Sequence, residues 1–175
     1  MTVFWLCLLV LLIGILIFEI REFNLKDLEL KHITYRDHLK VRKVLNAEKW
    51  TRRKQDTITK QQHIDYYFAT ALTMTYYGIY HKHKFCGYIR LEEVDATCYS
   101  ISVLVMPALR GLGVGKAALK LTHTRLKKYS REHIKIQGEV MKSNPSGVKF
   151  WRPILSTNGA KLEEVSDAMK FSYII

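Results

Sequence analysis

Apolar positions along this chain follow two periods, and the period switches several times. Leu28–Ile33 alternates weakly and predicts a strand. In Asp37–Trp50, Leu39, Val41, Val44 and Leu45 recur at helical spacing, which predicts a helix with those four side chains inward. Arg52–Thr57 is polar and reads as a connection. Thr59-Lys60-Gln61-Gln62 has the form of a capping box, Thr59 as N-cap with Gln62 three residues on. The helix it opens is expected to bury Ile64, Tyr67, Phe68 and Ala71.

Further on the period becomes two. Met74–Tyr80 and Phe85–Glu92 read as strands around the basic turn Lys82-His83-Lys84, and Thr97–Val105 follows after Val94-Asp95-Ala96. Three strands so spaced predict an antiparallel meander. Val114, Ala118, Thr122 and Leu126 then recur every four residues, as one face of a helix. Ile134–Met141 is a further strand, a helix opens at Pro145, and Lys161–Glu164 and Lys170–Ile175 close the chain as strands. There is no internal repeat and no low-complexity segment.

The amino terminus differs in kind. Val3–Phe18 is apolar throughout, interrupted only by Gly14. It is slightly short of the roughly 20 residues that span a bilayer. It lacks the basic start and small-residue cleavage site of a secretory signal. Arg21, Lys26, Lys31 and Arg36 follow it, so the positive-inside rule places the rest of the chain in the cytoplasm. Residues 3–18 thus read as an anchor on the inner face of the cytoplasmic membrane, with residues 21–175 as one domain. A buried core helix and a dispensable upstream start are the competing readings.

The 175 residues carry a formal net charge of +12. That balance suits nucleic acid, anionic lipid or an anionic small substrate. No helix interleaves aromatic and basic residues as a single-strand binder would, so a small polyanion accounts for the charge without nucleic acid. Cys7, Cys86 and Cys98 form no Cys-x-x-Cys and read as buried thiols in a reducing compartment. His81 and His83 flank a turn with no third ligand nearby, so no metal is expected. Arg90 reads either as a solvated strand residue or as a contact to phosphate or substrate.

The most informative stretch is Val105-Met106-Pro107-Ala108-Leu109-Arg110-Gly111-Leu112-Gly113-Val114-Gly115-Lys116. It joins a strand to a helix. Glycine allows a tight turn and close backbone approach, and the first N–H groups of a helix have no partner inside it. Such a turn binds phosphate or pyrophosphate. A Walker loop is excluded, because Arg110 stands where its first Gly belongs and Ala117 where its Ser or Thr belongs. A dinucleotide fingerprint can be counted as Gly113, Gly115 and Ala118, but it belongs after the first strand of a βαβ unit. What remains is Arg-x-x-Gly-x-Gly after a strand ending Val-x-Pro.

That motif resembles the acetyl-coenzyme-A loop of the GNAT superfamily of N-acetyltransferases. The element order resembles its fold over residues 25–175. The resemblance implies an α/β (α+β) architecture, a central mixed sheet of about seven strands with helices on both faces. It implies acetyl-CoA as co-substrate, with the strand before the loop and the strand Ile134–Met141 parallel and splayed around the pantetheine arm. Leu104 and Val105 would then meet the arm. The backbone of Arg110, Gly111, Leu112, Gly113, Val114, Gly115 and Lys116 would meet the pyrophosphate. Asn144 carries over as a second arm contact, and it is also a plausible helix N-cap. Trp151 stands where the family has a Tyr acid, and Gly159-Ala160 where it has Gly-Phe. Glu139, on the second splayed strand, is the candidate base.

Val41-Arg42, Asn46, Trp50, Ile58-Thr59 and His63 are similar to a segment of the amino-sugar N-acetyltransferases, in particular those of the pseudaminic acid pathway. This implies the 4-amino group of a nucleotide-linked deoxy-amino-sugar as acceptor, with Arg42 and His63 in its pocket. Two alternatives stay open: a protein N-terminal acetyltransferase of the ribosomal-protein type, and a non-catalytic coenzyme-A-binding module at the membrane.

Overall fold

The computed structural model describes residue 5 and residues 23–34, 37–47, 56–130 and 133–175. The expected anchor at residues 3–18 and the helix end at Trp50 lie outside them. Among the described residues, no helix is long and apolar enough to cross a membrane.

Seven strands form one sheet: β1 (Leu28–His32), β2 (Met74–His81), β3 (Lys84–Asp95), β4 (Cys98–Val105), β5 (Lys135–Met141), β6 (Lys161–Glu164) and β7 (Ala168–Ile174). Their order is β1-β2-β3-β4-β5-β7-β6. The helices are α1 (His38–Ala47), α2 (Lys60–Thr70), α3 (Val114–Tyr129) and α4 (Pro145–Thr157). The expected meander is β2, β3 and β4, all antiparallel. Its first turn is only Lys82 and His83, both at positive φ, 46° and 68°, as a two-residue hairpin turn requires.

β4 and β5 are the parallel pair, and they pair only over Cys98–Ser100 against Lys135–Gln137. Beyond Ser100, β4 keeps β3 on one side and, among the described residues, has no strand on the other. β5 stays in the sheet through β7, which pairs along its whole length. The sheet therefore opens as a V between Ile101–Val105 and Gly138–Met141.

Each face of the sheet has its own core. α1 and α2 cover one face, over Ile33, Val41, Val44, Tyr76, Tyr88 and Leu104. α3 and α4 cover the other, where Ile79, Ile89, Ile101, Val114, Ala118, Leu119, Ile136, Leu155 and Phe171 share a larger cluster. Three inward assignments need correction. Leu39 is 45% exposed and Phe68 is 63% exposed, and Ala71 is exposed too. The buried stripe of α1 is His38, Val41 and Val44, and that of α2 centres on His63. Phe68, five residues beyond His63, lies about 140° around the helix from it. Counting apolar residues alone passed over two histidines that are buried against each other.

Candidate active site

The glycine loop divides its glycines between two tasks. After β4 the chain makes a 3-10 turn at Pro107–Leu109, then takes φ of 79° at Gly111 and 83° at Gly113. Left-handed backbone costs a residue with a Cβ about 1–2 kcal/mol. Gly113 N-caps α3, and no side chain caps that end, so the first N–H groups of α3 stay available. A Cβ at Gly111 would meet nothing within 4 Å, so the space above the loop is open. Gly115 serves packing: a Cβ there would come within 2.9 Å of the Phe150 ring on α4. Leu112 packs into the core beneath, and Val114 is buried. The Arg110 Nε donates to the Val105 carbonyl at 3.1 Å and braces the loop against the end of β4. Lys116 is exposed at the mouth.

Loop and V open into one cleft of about 1880 Å³. The loop backbone, Leu104, Val105 and Asn144 line it together. An unpaired strand edge, an open glycine cradle and an uncapped helix start fit the amide-bearing arm and the pyrophosphate of coenzyme A. Asn144 caps α4, its Oδ1 accepting from the Gly147 N–H at 2.9 Å, and its side-chain N–H groups have no protein partner among the described residues.

Glu139 also lines the cleft and is exposed. Ser100 pairs with Gln137, so Ser100, Ser102, Gln137 and Glu139 share the α1/α2 face of the sheet. Trp151 lines the cleft as well, but is packed on Phe171 with ring centroids 4.5 Å apart and has no acidic proton to give.

The two expected acceptor residues, Arg42 and His63, sit on α1 and α2. Arg42 donates from Nη1 to the Ile58 carbonyl at 3.0 Å, and Asn46 also holds Ile58. Arg42 is not among the residues lining the cleft, so it ties α1 to the start of α2. There Thr59 and Gln62 form the expected capping box. His63 lines the cleft but is only 4% exposed, and its Nε2 lies 3.3 Å from the His38 Nδ1. Burial holds the pKa of His38 down to about 4 and lowers that of His63, so one neutral ring donates to the other.

Sequence reasoning missed His38, Tyr66 and Ser102. Arg90 on β3 donates to the Tyr66 hydroxyl at 3.3 Å and to the Ser102 hydroxyl at 3.2 Å. The alternation of β3 and β4 already put Arg90 and Ser102 on one face once the two strands were paired. His38 gave no signal, because a polar residue in an amphipathic helix is read as exposed. Burial raises the thiol pKa of Cys86 and of Cys98, and neither lines the cleft. Among the described residues no cluster suits a metal ion.

The profile of the acetyltransferase (GNAT) family matches residues 37–154. The chain belongs to that family. It is an acetyl-coenzyme-A-dependent N-acetyltransferase, and its sheet and four helices are the GNAT fold. No curated protein sequence matches it. Among solved structures it is similar to a domain from Methanocaldococcus jannaschii DSM 2661, with TM-score 0.71 and 13% identity over 85% of this chain and 98% of that one. It is similar to RimL, a ribosomal L7/L12 α-N-protein acetyltransferase in complex with coenzyme A, with TM-score 0.69 and 12% identity over 85% and 94%. It is also similar to a spermidine N-acetyltransferase from Vibrio cholerae in complex with CoA and spermine, with TM-score 0.70 and 12% identity over 85% and 96%.

Proposed function

We propose that the acceptor is the 4-amino group of a nucleotide-linked deoxy-amino-sugar. The observation that carries this reading is the character of the cleft. Among the described residues, Arg90, Arg110, Lys116, Lys120 and Lys149 line it against two carboxylates, Asp56 and Glu139. A surplus of positive charge favours polyanions and disfavours polyamines. The α1/α2 side adds Tyr66, Tyr76, Tyr88, Ser100 and Ser102, whose rings and hydroxyls suit a base and a sugar.

Acetyl-coenzyme A supplies the acetyl group as a thioester. The loop backbone from Arg110 to Lys116 would bind its pyrophosphate, and Asn144, Leu104 and Val105 its arm. Glu139 stands on the strand that borders the V and would take the proton of the attacking ammonium, directly or through water. Asn46 and Arg42 would fix the wall that the acceptor meets, acting through Ile58.

The test is turnover of acetyl-coenzyme A with a panel of amines: sugar nucleotides bearing a 4-amino group, a peptide with a free N-terminus, and spermidine. The sugar nucleotides should be acetylated with the highest kcat/KM. Preference for the peptide would instead support protein N-terminal acetylation, the fold neighbour's reaction. The membrane reading of residues 3–18 is proposed alongside. A chain shortened to start at Glu22 should keep full turnover in solution and lose sedimentation with vesicles. Vesicle binding that survives the shortening would contradict it.

A further inference from the structure

We propose that Arg90, with the Ser102 and Tyr66 hydroxyls beside it, is the subsite that holds an anionic group of the acceptor, a phosphate or a carboxylate. The inference rests on the proposed function only for assigning the α1/α2 side of the cleft to the acceptor.

A guanidinium on a half-covered sheet face loses hydration and needs compensation. Arg90 receives little. Its Nη1 meets the Tyr66 hydroxyl at 3.3 Å and its Nη2 meets the Ser102 hydroxyl at 3.2 Å, while Nε is buried with no partner. Among the described residues no carboxylate comes within ion-pair range of it. Its five N–H donors therefore meet only neutral oxygens. Tyr76 stands on β2 directly across from Arg90 and takes a hydrogen bond from it, and its phenol is pushed up to about 12 chiefly by burial, so it too is a neutral partner and supplies no negative charge near neutral pH.

Arg90 also prepares Ser102 as a donor: the hydroxyl accepts from the guanidinium and keeps its own O–H for another acceptor. The Tyr66 hydroxyl accepts from Arg90 and donates to the Met74 Sδ at 3.4 Å, so it holds the guanidinium in place. One fixed cation and one hydroxyl proton grouped in this way suit phosphate or carboxylate oxygens. Arg110, Lys116, Lys120 and Lys149 belong to the loop, α3 and α4, where the coenzyme is expected. Among the described residues, Arg90 is the cleft cation on the α1/α2 face.

Its position fits the reaction. Ser102 lies two residues before Leu104 on the same face of β4, and Arg90 is Ser102's registered partner. Adjacent strands are about 4.8 Å apart, so the anion would sit one strand over from the V, roughly a sugar ring from the amine.

The experiment compares kcat/KM for two matched pairs: a nucleotide-linked 4-amino sugar against the free 4-amino sugar, and an α-amino acid against its methyl ester. The native chain should favour at least one anionic member by about tenfold or more, and Arg90→Gln should reduce that ratio to within about threefold. Arg90→Lys should keep part of it, and Ser102→Ala should lower it by a smaller factor. A preference for the sugar nucleotide that survives Arg90→Gln overturns the subsite and leaves the sugar reading standing. An Arg90-dependent preference in the amino acid pair, without turnover of the sugar nucleotide, supports the subsite and overturns the sugar reading. No preference in either pair overturns the subsite. Should Arg90→Gln fail to bind coenzyme A, Ser102→Ala and Arg90→Lys decide, and an unchanged ratio in both overturns it.

Discussion

Asn46 grips the backbone of Ile58 at both of its polar groups: Nδ2 donates to the carbonyl at 2.9 Å and Oδ1 accepts the N–H at 2.9 Å. Arg42 adds a third bond to the same carbonyl. Ile58 immediately precedes the capping box of α2, so this clasp sets where α2 begins and how it lies against α1.

Asn46→Ala should therefore loosen the α1/α2 wall. Two hydrogen bonds are lost; the Ile58 carbonyl keeps Arg42 while its half-buried N–H is left without a partner, a cost of about 2 kcal/mol in chemical denaturation. The acceptor KM should rise while coenzyme A affinity, measured by calorimetry, stays near that of the native chain. An equal loss of coenzyme affinity would show that the clasp supports the whole domain and not the acceptor wall.

The two glycine roles separate experimentally. Gly113→Val forces a branched side chain into left-handed backbone at the helix start, and coenzyme A binding should be abolished while the domain still folds. Gly115→Ala should instead lower stability by pressing on Phe150, and Phe150→Leu should restore much of that loss. Unchanged coenzyme affinity in Gly113→Val would refute the loop assignment.

Acid should unfold this chain earlier than its carboxylates alone would require. Burial holds His38 at about 4, against about 6.5 when unfolded, and also lowers His63. The neighbouring Asp37 opposes the shift at His38, and Arg42 reinforces it at His63. The folded state binds fewer protons, so stability is full above about pH 6.5 and falls as pH drops toward 4. His38→Phe should flatten the fall of Tm between pH 6.5 and 5. A slope unchanged by the substitution would contradict the assignment.

Glu139→Gln keeps shape but loses basicity. If Glu139 is the base, the rate should fall roughly 10²–10⁴-fold at neutral pH and recover in part at higher pH, where free amine is more abundant. A rate within about threefold of the native chain would assign the proton to water or to a group on α1 or α2.

The meander, the loop and the closing strands were legible because local patterns decide them: alternation, a glycine-rich strand-to-helix turn, and Pro145 opening a helix. Thr59 and Gln62 were legible for the same reason. The inner faces of α1 and α2 were not. His38 and His63 satisfy one another only in three dimensions, and that pairing displaced Leu39 and Phe68 from the core. Arg42, Asn46 and Ile58 were visible as a pattern, from which Arg42 was read as an acceptor contact, but the bonds that Arg42 and Asn46 make to the Ile58 backbone exist only once α1 and α2 are packed together. Arg90 could not be weighed before the β3–β4 register placed it beside Ser102.

The central claim is that acetyl passes from coenzyme A at the glycine loop directly to an amine entering from the α1/α2 side. Two-substrate initial-rate kinetics, paired with acetyl-labelled coenzyme A in the absence of amine, tests it most directly. Cys86 and Cys98 are buried, with thiols raised above their ordinary pKa, and offer no activated nucleophile. Intersecting rate plots and an unlabelled protein are the predicted result. Parallel plots with label on the chain would contradict direct transfer.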